Sequence, residues 1–269
     1  MTLDWLTWLS FPLLGIFAGF IAGLFGVGGG LILVPFLFML FTAQGFAEAQ
    51  LMHLALGTAM ASIMITSISS MRAHHRHSAV RWDIFKSMAP GLLLGTLAGS
   101  TVASSLATRP LAMLFTAIVY IASLQMVLDV KPKATRSLPG PLGRLLVGAL
   151  IGFVSSLVSA GGGFMSVPFM LWSNVAIHQA VGTSAALGFP IAVGGFIGYV
   201  LSGWNAPGLP PYSLGYVYLP ALLGVVLMSF AMAPVGAKLA HRLPVKHLKR
   251  AFGGFLALLA TKMLFGLLG

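Results

Sequence analysis

Gly28-Gly29-Gly30-Leu31-Ile32-Leu33-Val34-Pro35 lies inside one long apolar run, and Gly161-Gly162-Gly163-Phe164-Met165-Ser166-Val167-Pro168 lies inside another. Three glycines and a proline do not suit an uninterrupted helix, because glycine weakens it entropically and proline removes a backbone donor. At membrane depth, broken backbone persists only where protein buries it or where it lines a polar cavity. A break that recurs in two comparable segments points to a transport site.

The rest of the chain supports a membrane setting. It has 269 residues, 58% hydrophobic and 7% charged, whereas soluble domains carry about 25% charged residues. Such a chain cannot keep a water-facing surface, so the expected class is an all-α polytopic membrane protein in the cell membrane, with the lipid bilayer as its main partner. The net charge of +11 does not point to nucleic acid, because the basic residues gather in a few loops, as cytoplasmic loops do. Cysteine is absent, which excludes disulfides, thiolate chemistry and cysteine-ligated metal. Met1–Pro12 has no basic n-region, so no cleavable leader is expected; Asp4, Trp5 and Trp8 read as an interfacial anchor.

Apolar segments run over 11–43, 50–71, 84–106, 110–128, 142–173, 176–201, 214–239 and 247–269, each long enough for a core of about 30 Å. The glycine phrase recurs at an offset of 133 residues. His53, Gly57 and Thr58 recur as His178, Gly182 and Thr183 at an offset of 125. The chain therefore divides into two repeats, 1–130 and 142–269, joined by a cytoplasmic linker, 131–141. If the first segment of each repeat enters and returns on one side, the repeats are inverted. Thirteen Lys and Arg then face inward, and only Arg109 and Lys262 face outward. Four full crossings per repeat give a much weaker asymmetry, so the positive-inside rule selects inversion. Both termini are then expected outside.

Local chemistry suggests where each broken segment restarts. A residue before proline avoids the α region, so Val34 and Val167 are expected to be extended. Pro35 and Pro168 suit the first position of a new helix. Pro35 to Ala43 would make an arm of about 14 Å, half a membrane.

Glycine nests and helix N-termini attract anions. The candidate anion site therefore comprises Gly28, Gly29 and Gly30 with Gly161, Gly162 and Gly163. Thr58, about 12 Å into its span by the helix rise, and Thr183 with Ser184 at matching depth are candidate neighbours. The plainer alternatives are glycines that only permit close helix packing and threonines that bond their own helix. No Asp or Glu lies deep in a span, so any proton coupling falls to His53 and His178. His74, His75 and His77 stand beside Arg72, Arg76 and Arg81 and read as a solvated loop rather than a metal site. No cofactor or metal is expected. Without a deep carboxylate, a cysteine or paired intramembrane histidines, an enzyme is not expected either. A secondary carrier and an anion channel both remain open.

These motifs resemble the TauE/SafE family of sulfite exporters, also called sulfonate uptake permeases. The resemblance rests on Gly19, Gly23, Gly26, Gly28, Gly29, Gly30 and Pro35, and on Ala55-Leu56-Gly57-Thr58-Ala59 with Ala180-Val181-Gly182-Thr183-Ser184. The loop ending Val80-Arg81-Trp82-Asp83 adds to it. It implies transport of small sulfur-containing anions such as sulfite or organosulfonates. Ala59 departs from the family's usual serine. Ser155, Ser156 and Ser159 stand where the first repeat has Ala22, Gly23 and Gly26, which makes the second half more polar.

Overall fold

The computed structural model describes residues 5–25, 29–128, 137–240 and 245–268. Gly28 lies outside the described residues, as does most of the linker at 131–141 and the side chains of Trp5 and Trp8. The described chain is almost entirely helical. Its helices are α1 (Trp5–Phe25), α2 (Gly30–Ala43), α3 (Leu51–Arg76), α4 (Trp82–Ser105), α5 (Thr108–Leu128), α6 (Pro141–Val158), α7 (Gly163–Trp172), α8 (Ile177–Gly203), α9 (Leu219–Ala240) and α10 (Val245–Leu268). Two short strands, β1 (Ser213–Leu214) and β2 (Val217–Tyr218), pair antiparallel just before α9. Among the described residues, five helices are long and apolar enough to cross a membrane.

Each glycine phrase divides its segment into a long and a short helix. By the helix rise, α2 is about 21 Å long and α7 about 15 Å. Both begin earlier than the pre-proline rule predicts. The restart is at Gly30 and Gly163, so Val34 and Val167 are helical, and Pro35 and Pro168 sit inside the helices. The physical reason is the cap. Gly29 and Gly162 adopt φ of 76° and 77°, a left-handed conformation that glycine reaches without a Cβ penalty. That turn starts the helix one residue later. The prolines then forgo only the bonds to the carbonyls of Leu31 and Phe164, a loss that buried helices tolerate. The reading of His74, His75 and His77 as a solvated loop is likewise corrected in part, because α3 continues to Arg76 and buries His74.

Helix neighbours exchange between the halves. On α1, Gly15, Gly19 and Gly23 lie on Val225, Ser229 and Ala233 of α9. On α4, Gly91, Gly95 and Gly99 lie on Leu145, Ala149 and Phe153 of α6. Both pairs run parallel. In each, a Cβ on the glycine would strike the facing main chain, so small residues set how closely the helices approach. We expect Gly95→Leu to lower the midpoint of thermal unfolding in detergent. Overpacking costs about 1–3 kcal/mol or more. Gly254→Ala, with nothing within 4 Å, should not lower the midpoint.

The central pair, α3 and α8, runs antiparallel. Gly57 meets Tyr199, Met60 meets Gly195, and Ser67 meets Gly188. The outer pair α5 and α10 also runs antiparallel: Tyr120 bonds Thr261 at 2.6 Å, and Ser123 donates to the Gly253 carbonyl at 2.7 Å. The bundle thus has two ends. One gathers the starts of α3, α5 and α9 with the ends of α4 and α8: Gln50 donates to the Pro207 carbonyl, Thr108 to that of Ala49, and His53 bonds that of Leu106. The opposite end gathers Arg72, Arg76, Arg81, Lys86, Arg144 and Lys238.

Candidate functional site

The two glycine breaks have nearly the same geometry. At the first, the Gly29 carbonyl accepts from the N–H groups of Ile32 (3.1 Å) and Leu33 (3.0 Å). At the second, the Gly162 carbonyl accepts from Met165 (3.0 Å) and Ser166 (2.7 Å). Neither N-terminus carries a side-chain cap. The opening N–H groups of α2 and α7 therefore have no acceptor within their own helix. The breaks also meet. A Cβ on Gly30 would strike the Ser159 main chain and lie 2.9 Å from Ile63 of α3. Ser159, at the end of α6, has φ 45° and donates its hydroxyl to the Leu56 carbonyl at 2.8 Å. Gly188 of α8 faces the Gly161 carbonyl and Ser67. Gly30 and Gly161 are thereby held between the two central helices.

The side chains around the breaks differ between the halves. Ser166 donates to Ser184 Oγ at 2.9 Å, and both residues are fully buried. The Ser155 hydroxyl is fully buried near Gly162. The first half has Leu33, Ala59 and Ala22 at the corresponding positions.

Thr58 and Thr183 lie towards opposite ends of the bundle, each under a short extended segment of the other half. Tyr216-Val217-Tyr218 sits on α3: a Cβ on Gly57 would strike the Tyr216 carbonyl oxygen, and Thr58 Oγ1 accepts the Tyr218 N–H at 2.9 Å. Ala79-Val80-Arg81 sits on α8: Gly182 lies against the Ala79 carbonyl, and Thr183 Oγ1 accepts the Arg81 N–H at 2.9 Å. Val217 and Val80 are both buried. Each Gly-Thr pair therefore seats a plug, with glycine admitting the backbone and threonine anchoring it.

The plugs are sealed differently. His53 is buried and stacks on Tyr216 at 4.9 Å, while Phe41, Phe46 and Tyr218 form a cluster with ring separations of 5.1–5.6 Å. At the other end, Arg81 pairs with Asp83 at 2.7 Å, and Trp82 donates to His75 at 3.3 Å. His178, the counterpart of His53, is exposed. His74 is fully buried, with Nε2 3.2 Å from the Gly23 carbonyl. Neither plug, nor the burial of His74, is readable from one span, because their contacts lie 51 to 160 residues away.

Comparison with known proteins adds the family. The sulfite exporter TauE/SafE family profile matches residues 11–263. A probable membrane transporter protein of Haemophilus influenzae is 40% identical over 253 residues, covering 93% of this chain and 96% of that protein. Probable membrane transporter proteins of Methanocaldococcus jannaschii and Bacillus subtilis are 25% and 28% identical, covering 95% and 89% of this chain and 96% and 91% of their own lengths. No solved structure matches the chain.

Proposed function

Because this chain belongs to the sulfite exporter TauE/SafE family and is a membrane transporter, we propose that it exports small sulfur-containing anions, such as sulfite or organosulfonates, across the cell membrane by alternating access. The observation that carries this reading is the pair of plugs. Tyr216-Val217-Tyr218 and Ala79-Val80-Arg81 close opposite ends over corresponding Gly-Thr seats. A carrier needs two such gates that open in turn; a channel conducts only with both open.

The antiparallel runs of α3 against α8 and of α5 against α10 support an inverted repeat. The basic cluster supports a cytoplasmic side for the Arg81 plug. The termini then face outward. In this reading the anion crosses at mid-depth beside the glycine breaks, where uncapped N–H groups and helix dipoles favour negative charge. Thr58 and Thr183 act at the gates, Ser184 lines the site, and His53 and His178 are the groups available for proton coupling. A negative interior favours export of an anion by about 2.3 kcal/mol per charge per 100 mV.

The test is flux in liposomes reconstituted with purified protein, using sulfite, sulfoacetate, sulfate and chloride, with and without a pH gradient. We expect saturable movement of a sulfur oxyanion, lost in Gly29→Leu and Gly162→Leu variants that remain folded. Ohmic single-channel currents would replace the carrier with a channel. Absence of any sulfur-anion flux would reject the substrate class.

A further inference from the structure

Several buried hydroxyls in these helices turn back on their own backbone. Ser62 donates to the Thr58 carbonyl, Thr96 to Leu92, Thr116 to Ala112, and Ser156 to Phe153. Ser155 does not. It is fully buried, its Oγ has no hydrogen-bond partner among the described residues, and it lies 3.9 Å from where a Cβ on Gly162 would be, a point to which Ile191 (2.5 Å) and Ile151 (3.7 Å) come nearer. A buried hydroxyl left unpaired is costly, and this one faces the start of a helix. Gly162 caps α7, a helix of 10 residues with no side-chain cap. The N–H groups of Gly163 and Phe164 have no intrahelical acceptor. Ser166 and Ser184 add two hydroxyls one turn further on. Around α2 the matching positions are Ala22, Leu33 and Ala59, so the first break has the backbone of such a site without its hydroxyls.

Building on the transport reading, we propose that the anion binds at one break only, the N-terminus of α7. Ser155 Oγ donates to it, and the bound species is a singly charged oxyanion such as a sulfonate. The charge follows from the donors, which are all neutral. Neither α7 nor α8 contains Lys or Arg, and Arg144 on α6 lies three turns from Ser155. A helix N-terminus supplies only about half a positive charge. The solvation lost on burial rises with the square of the ion's charge, so a dianion loses about four times as much as a monoanion. Hydrogen-bond donors without a countercharge therefore select the monoanion.

The probes are methanesulfonate, a fixed monoanion, and sulfate, a dianion near neutral pH, titrated calorimetrically into the full chain in lipid nanodiscs. We expect methanesulfonate to bind and sulfate to bind at least about tenfold more weakly. Ser155→Ala should weaken methanesulfonate about tenfold, the usual effect of one lost hydrogen bond to a charged group. Ser156→Ala, whose hydroxyl already serves the Phe153 carbonyl, should stay within about twofold. If Ser155→Ala does not elute as a folded protein, Ser155→Cys, nearly isosteric but a weak donor, takes its place with the same direction of change. Equal affinity for the two probes overturns the charge selection. Unchanged affinity in the serine variants overturns the site, as does a wild type that binds neither probe. Liposome flux of sulfur anions that persists in Ser155→Ala would leave the transport function standing while this site fails. No sulfur-anion flux in the wild type removes the transport reading itself.

Discussion

Gly30→Ala is expected to carry no sulfite across a reconstituted liposome and to melt about 2–12 °C below the wild type. The added methyl group would enter the main chain of Ser159. Ile63 can rotate away, but Ser159 cannot yield cheaply. Its backbone is left-handed, and its hydroxyl is tied to the Leu56 carbonyl at 2.8 Å. Relief therefore requires the end of α6 to withdraw from α2, which separates the two breaks. Overpacking at such a point costs about 1–3 kcal/mol or more, and each kcal/mol shifts the melting midpoint by about 2–4 °C in a chain of this size. Thermal unfolding in detergent and radiolabelled flux measure the two effects separately. A variant that melts normally and transports normally would remove the meeting of the breaks from the mechanism.

The second large effect is sided. Gly57→Ala pushes the Tyr216 plug off its seat, because the new Cβ would meet a backbone carbonyl. Gly182→Ala does the same to the Ala79 plug at the other end. The chain has no cysteine, so one introduced thiol reports cleanly. Ala61 is buried in a cluster with Val217 and Val200. In an Ala61→Cys background, Gly57→Ala should speed labelling by a membrane-impermeant maleimide about tenfold or more, as expected when about 1.4 kcal/mol of closure is lost. Gly182→Ala should not speed it. If both variants expose the thiol equally, the two plugs open together and the carrier mechanism is wrong.

Much of the architecture was legible before the fold was known. The doubled break predicted two split helices, and the structure has them at α1–α2 and α6–α7. Composition alone required a helical membrane bundle. The helix restart was misread because the pre-proline rule describes a single dipeptide, whereas a left-handed glycine cap five residues earlier controls the whole turn. Partners across the bundle were hidden for a different reason. Thr58 meets the N–H of a residue 160 positions away, and Thr183 meets one 102 positions away. No periodicity in one span encodes such a contact. The serines of the second half were visible as a departure from symmetry, but their value depends on Ser155 lying near Gly162, and distance is not a property of sequence.

The glycine-lined pairing of α1 with α9 has a consequence for synthesis. The neighbour of α1 begins at Leu219, so about two hundred residues must be translated before it reaches the bilayer. During that time Gly15, Gly19 and Gly23 face lipid or a temporary neighbour, while α4 finds α6 much sooner. Assembly is therefore gated late, by the arrival of the ninth helix. A chain released before Leu219 would present an unmatched glycine face, the kind of surface by which quality control can recognise an unfinished membrane protein.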